Sequence, residues 1–493
     1  MPHNSFQDIL FDNEENGEFE ESISLQVTSH KQKHKKYLPE EENEPSNTGD
    51  TAPLLSNSSR ESIAPDLNSV IVLENGDTLK KPKDGGSFFE SFLNMANSII
   101  GAGIIGLPFA FRESGVFSGI ILLIGLTVLV DWTIRLLVFN AKLSGRNSYQ
   151  EVMQFCFGKS GLIIISGFQF VFAFGGMCAF CVVIGDTIPH VIASLFPTII
   201  KIPILNLLTD RYFVIIFCTI FISYPLSLHR DISKLSKASG LALISMTVII
   251  TAVVIEAPQV DQKLRGSNEE TWTFVQPQIF QSIGIISFAF VCHHNSLLIF
   301  DSLRKPTLNR FAAVTHLSTG ISMLACLMVA LVGYLTFTDK TEGNILNNFP
   351  KDNTIINVAR FCFGFNMFTT LPLEAFVCRE SIEIYYFSNA PFSTKRHVIS
   401  TTVLVMSAMI VSLITSDLGV VLELTGGCSA TALAYILPPV CFLKLSSGQW
   451  WSRKKLPAVL CVGFGIAVMI LSTILSIIKI VKAQTNNKQN DGF

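Results

Sequence analysis

From Phe88 onward, apolar stretches of about 20 residues recur, separated by short polar segments. A helix of that length spans the roughly 30 Å hydrocarbon core of a bilayer. Eleven such stretches fall at 88–111, 116–139, 162–191, 211–228, 239–256, 279–300, 312–337, 355–378, 397–415, 418–443 and 456–479. The first is diluted by Asn94, Asn97 and three glycines, yet its neighbours make sense only if it also spans. Strands of a membrane β-barrel would be about 10 residues long with alternating polarity, which this pattern excludes. The prediction is an all-α multi-pass membrane protein of 11 transmembrane helices.

Before Phe88 the pattern is the reverse. Residues 1–85 contain no long apolar stretch; acidic runs at Glu14–Glu21 and Glu40–Glu44 flank a basic run at Lys31–Lys36. Such a segment cannot bury enough apolar surface to offset its ordering entropy, so it is expected to be a disordered tail. No signal peptide is expected, because the first strongly apolar stretch starts near Phe88. The domain expectation is therefore a cytosolic tail at 1–85, a membrane domain of 11 spans at 86–480, and a short non-cytosolic tail at 481–493.

Composition adds that only 15% of the 493 residues are charged, against roughly 25% in soluble domains. The net charge of -2 points to no nucleic-acid partner. Charge placement gives orientation. With the N-terminus in the cytosol, the cytosolic loops hold about 16 basic residues and the opposite loops about 7, as the positive-inside rule requires. The eleven cysteines lie mostly inside the apolar stretches and show no CxxC, so they read as small core residues.

The tail carries one short signal. Asp50 stands four residues before the Leu54-Leu55 pair. This is the acidic dileucine pattern that sorting adaptors read on proteins bound for lysosomes or vacuoles.

Two stretches carry the candidate chemistry. In the first, Asn97 precedes Ile100-Gly101-Ala102-Gly103, and Gly106 and Pro108 follow. Glycines clustered before a proline weaken a helix at its middle. In lipid, unwound backbone is tolerated only where protein buries it or it lines a cavity. Freed N–H groups at a half-helix end bind a carboxylate, and freed carbonyls bind a cation. Close glycine packing is the alternative reading. The sixth stretch has a matching interruption at Cys292-His293-His294-Asn295. Two broken segments five spans apart are the mark of a five-plus-five inverted repeat of the LeuT/APC type, here with one added helix.

The resemblance is then visible along nearly the whole membrane part. Asn97 to Pro108, Ser148 to Glu151, Gly185-Asp186-Thr187, Pro225 to Leu228, Phe288 to Ser296, Gly333 to Phe337, Arg379-Glu380 and Ile436-Leu437-Pro438 follow in order. The chain resembles the amino acid/auxin permease family, and within it the vacuolar amino acid transporters of fungi and the sodium-coupled neutral amino acid transporters of animals. The resemblance implies amino acid substrates, neutral ones favoured. It also implies a cation site at Asn97 and Thr370. Glu374 stands where the sodium-coupled sequences are usually apolar, which brings proton coupling forward as well.

Ionisable residues within spans are costly and by default functional. Glu374, His293 and His294 are the candidate proton carriers. Asp131 and Arg135, one helical turn apart, are expected to pair internally. Asp186 is expected to bond nearby backbone, and Glu423 to lie near an interface. No catalytic dyad, metal spacing or nucleotide loop is found, so the chain is not expected to be an enzyme or a nucleotide-driven pump. No cofactor is expected beyond a coupling ion, H+ or Na+. The functional expectation is a secondary active transporter of the vacuolar or lysosomal membrane. Its partners are an amino acid, membrane lipid and a sorting adaptor. The alternative is an amino-acid receptor that signals through its tail.

Overall fold

The computed structural model describes residues 70–72, 78–80, 86–198, 202–229, 239–267, 272–387, 390–415, 417–449 and 452–490. The acidic dileucine sequence and most of the polar tail lie outside these residues. At the end of that tail, where no structure was expected, Val70–Val72 (β1) and Thr78–Lys80 (β2) form an antiparallel hairpin.

Apart from an isolated bridge between Gly86 and Leu303, every other regular element among the described residues is helical. The first span is a pair, α1 (Phe88–Ile99) and α2 (Leu107–Ser114), joined through a 3-10 turn at Ala102–Gly106. A capping box fixes where α1 begins: Ser87 accepts from the Glu90 amide while the Glu90 carboxylate accepts from the Ser87 amide. Then come α3 (Val116–Ser144) and α4 (Tyr149–Leu195). The second contains a sharp kink at Gly158, whose φ of 63° favours glycine. Beyond it lie α5 (Arg211–Ser227), α6 (Ser239–Glu256), and a second pair, α7 (Ile279–Phe290) and α8 (His293–Ser302). The chain ends with α9 (Leu308–Phe337), α10 (Thr354–Tyr386), α11 (Thr394–Ile414), α12 (Leu418–Leu445) and α13 (Leu456–Asn490).

Each of the eleven expected stretches holds a helix or a helix pair, but their count as spans is lower. Among the described residues nine helices are long and apolar enough to cross a bilayer, and the bent pair α1–α2 makes ten. The stretch at 211–228 carries only the shorter α5, whose π turn at Thr219–Ser223 precedes Pro225.

The broken pair α7–α8 lies at the centre of the bundle. In its apolar window 83% is buried, against 28% for α13, which presents most of its surface outward. The central helices approach through glycines. A Cβ on Gly103 would meet the Ala289 backbone of α7 at 2.5 Å, and one on Gly284 of α7 would meet the Glu423 carbonyl of α12 at 2.8 Å. Gly426 of α12 lies directly against the Gly284 carbonyl. Small residues let backbones pack this closely where lipid supplies no hydrophobic drive between helices.

Gly103→Val is therefore expected to destabilise the fold by about 1–3 kcal/mol through overpacking. Gly125→Val, where no atom lies within 4 Å, should leave stability nearly unchanged. Thermal unfolding in detergent checks the contrast; equal melting temperatures for the two variants would refute the close-packing account.

Candidate functional site

Both predicted breaks are present. Helix α1 stops at Ile99. Ile100 (φ −81°, ψ 66°) and Gly101 (φ −103°, ψ −150°) leave helical geometry, and the Gly101 amide turns back to the Ile99 carbonyl at 2.9 Å. In the second pair, Val291 (φ −73°, ψ 109°) and Cys292 (φ −125°, ψ 17°) interrupt the chain before α8 starts at His293. The two breaks are neighbours: Gly103 packs on Ala289, and the Asn295 amide donates to the Ser98 hydroxyl at 3.4 Å. Two half-helix N-terminal ends, at Ala102 and at His293, thus fall in one region deep in the bundle. Such ends favour an anionic group.

The side chains around the breaks divide by neighbour. Cys292 and His293 are fully buried. The His293 Nε2 shares a 2.9 Å hydrogen bond with the Thr133 hydroxyl of α3, while its Nδ1 is buried without a partner. His294 turns elsewhere: its ring lies 5.6 Å from that of Phe172 on α4, and its Nδ1 is likewise unpartnered. One histidine therefore faces α3 and the other α4. Phe172 also packs on Phe288 of α7, with ring centroids 5.3 Å apart.

One turn along α4 from Phe172, Gly176 leaves room for Glu374 of α10. A Cβ there would stand 3.6 Å from the Glu374 Cγ and 3.8 Å from its Cδ. The Glu374 Oε2 is buried and takes no hydrogen bond. Thr370, one turn before it, donates to the Asn366 carbonyl at 2.8 Å. Asn97 is half-buried. Asn97 and Thr370 are not joined by a hydrogen bond.

The remaining intramembrane acids are engaged. Asp131 pairs with Arg135 at 2.9 Å, as its spacing predicted, and also accepts from His316 at 2.9 Å and Thr319 at 3.3 Å on α9. Asp186 bonds side chains rather than the expected backbone: Arg211 at 3.2 Å, Asn344 at 3.2 Å and Asn347 at 3.3 Å. Glu423, expected near an interface, is fully buried and meets Lys479 of α13 at 2.7 Å. Of the four acids singled out in the sequence, Glu374 alone has a carboxylate oxygen with no partner among the described residues.

The segment between α9 and α10 covers the breaks at the end of the bundle where α2 finishes. Ile345 and Leu346 are fully buried, the Gly343 carbonyl lies 3.6 Å from a Cβ built on Gly106, and Gly343 itself abuts Gly419 of α12. Sequence reasoning missed Thr133, Phe172, Gly176 and this covering segment. The adjacent pair Gly175-Gly176 inside a span was the one available signal.

Two interrupted spans set side by side inside an all-helical apolar bundle define a multi-pass membrane protein of the broken-helix kind. A family model described as transmembrane amino acid transporter protein matches residues 84–478, and the chain belongs to that family. It is 41% identical over 429 residues to vacuolar amino acid transporter 2 of Saccharomyces cerevisiae, covering 85% of this chain and 88% of that protein. It is 40% identical over 382 residues to a Danio rerio protein provisionally named sodium-coupled neutral amino acid transporter 11, covering 78% and 84%. The Homo sapiens protein of the same name is 33% identical over 370 residues, covering 74% and 89%. The family is one of transporters rather than enzymes.

The Thr133–His293 contact gives a direct check. Thr133→Val leaves both nitrogens of a buried imidazole unpaired and should cost about 1–3 kcal/mol. Pairing it with His293→Leu should recover most of that loss in thermal unfolding. A double variant as unstable as the sum of the singles would mean the hydrogen bond contributes nothing.

Proposed function

We propose that this protein is a secondary active amino acid transporter that works by alternating access across the vacuolar or lysosomal membrane, with its N-terminus in the cytosol. The observation that carries the reading is the adjacency of the two breaks at the centre of the bundle. Backbone at Ile100, Gly101, Ala102 and Gly103, with Cys292 and His293, would receive the α-carboxylate at the half-helix ends. The bundle then follows the five-plus-five repeat with α5 as a thin fourth span and α13 as the added eleventh. Neutral amino acids are favoured, in keeping with the names of the animal relatives.

Coupling to protons is supported by Glu374. A half-buried carboxyl with one buried, unengaged oxygen is costly when ionised and is relieved by taking up a proton. His294, two residues past Cys292 with its ring against Phe172, is a second proton acceptor facing the same helix α4. The sodium alternative rests on Asn97 and Thr370, and the Thr370 hydroxyl is already committed to its own helix.

Uptake of a labelled amino acid panel into proteoliposomes, with an imposed pH or sodium gradient, tests this. Accumulation should follow the pH gradient and disappear in Glu374→Gln, while exchange of substrate at equal pH persists at a rate within a few-fold of the unmodified chain. The direction of accumulation separates symport from antiport. If no amino acid moves, the reading fails. If accumulation follows sodium and survives Glu374→Gln, the coupling site is Asn97 and Thr370.

Sorting is assigned to the Asp50, Leu54, Leu55 sequence through a cytosolic adaptor. Leu54→Ala with Leu55→Ala should move a fluorescent fusion away from the vacuolar or lysosomal membrane without changing its transport in vesicles. Unchanged location would remove the adaptor from the account.

A further inference from the structure

The last helix, α13, is the most outward of the long helices, yet it sends one charged side chain into the bundle. The Lys479 ammonium lies 2.7 Å from the Glu423 Oε1 of α12 and 3.6 Å from the Glu113 Oε2 of α2. Ser476, nearly one turn earlier on α13, reaches the other Glu423 oxygen at 3.5 Å. Glu113 is also held by Arg112 at 2.9 Å, and the Arg112 Nη1 donates to the Thr341 carbonyl at 2.7 Å, where the covering segment begins. Both cations stand over the Phe109 ring, at 4.5 Å for Arg112 and 5.1 Å for Lys479. Two cations thus meet two carboxylates across α2, α12 and α13.

The pieces this cluster joins are significant. Helix α2 is the outer half of the broken first span, α12 packs on the outer half of the second through Gly284, and the covering segment plugs the space above the breaks. For a substrate at the breaks to reach that end of the bundle, these three pieces must separate. The charged groups lie on the surfaces that would part.

We propose that Lys479 is a positioning residue for transport: by bridging Glu423 and Glu113 it holds α2 and the covering segment shut against α12, and the bridge must open for the site to face that side of the membrane. Helix α13 is thereby part of the working machinery and not a bystander to it. The proposal rests on the transport reading above. Its physical basis is that a ligand-binding state populated only in part lowers apparent affinity by that fraction, so releasing a closed state changes affinity at the two faces in opposite senses.

The test uses the full chain with Lys479→Met, Lys479→Arg and Glu113→Gln. The last removes the longer arm while leaving Lys479 on Glu423, and so guards against a chain that fails to fold because Glu423 is left buried and unpaired. In oriented proteoliposomes supplied with the panel amino acid that moves fastest, Lys479→Met should lower the apparent KM at the covered face and raise it at the opposite face, each by about tenfold, the middle of the usual range for coupled sites. Glu113→Gln should shift both in the same directions by less, and Lys479→Arg should restore values near those of the unmodified chain. A second readout needs no transport. With Ile345→Cys in the covering segment, a membrane-impermeant maleimide applied from the covered side should label Lys479→Met about tenfold faster than the chain with Lys479 intact. The same chains without Ile345→Cys provide the background. Loss of rate at both faces with KM values and labelling unchanged would show a purely structural residue and overturn the proposal. Faster labelling in a protein that moves no amino acid would uphold the latch and sink the transport reading instead.

Discussion

A backbone N–H or C=O exposed to hydrocarbon costs several kcal/mol, and everything else in this molecule is arranged around that constraint. Helix α7–α8 can leave helical geometry at Val291 and Cys292 only because protein surrounds it on all sides, with 83% of its window buried. The first span breaks at Ile100 and Gly101 against that same buried helix. Glycines at 103, 284 and 426 serve the same end by letting three backbones close on one another. The two breaks thus fall where the bundle tolerates irregular backbone.

Charge obeys a related rule. Inside an apolar bundle an isolated charge is far more costly than a paired one, and each of the paired acids draws a partner from another element, in the case of Asp131 besides its own helix. Asp131 draws on α9 as well as on its own helix, Asp186 gathers α5 and the covering segment, and Glu423 is met by α13. Each pair therefore fastens two elements together. Glu374 departs from the rule, with one carboxylate oxygen buried against α4 and unanswered. Among the four acids singled out in the sequence it is the one that breaks this pattern of pairing.

Much of the fold was legible along the chain because the period of burial in a membrane is long. Twenty apolar residues in a row announce a helix wherever they fall, and the eleven stretches all hold helical segments. Both breaks were legible too, since glycine beside proline, and two histidines with an asparagine, conflict with an unbroken helix in lipid. The i, i+4 pairing of Asp131 with Arg135 followed from local geometry. The short α5 was not foreseen, because hydropathy counts apolar residues and does not register a π turn followed by a proline.

The sequence by itself determined which segments are helical, where two of them must break, and which residue types stand at the breaks, because each of these depends on neighbours within a turn or two of helix. Tertiary structure alone decided which partner each polar side chain meets. His293 faces Thr133 while His294 faces Phe172, Glu374 lies on Gly176, and Lys479 reaches Glu423 across 56 residues of chain. Those meetings depend on how helices far apart in sequence are set beside one another. Helix–helix placement in lipid is governed by shape and pairing between surfaces, which no single stretch of sequence contains.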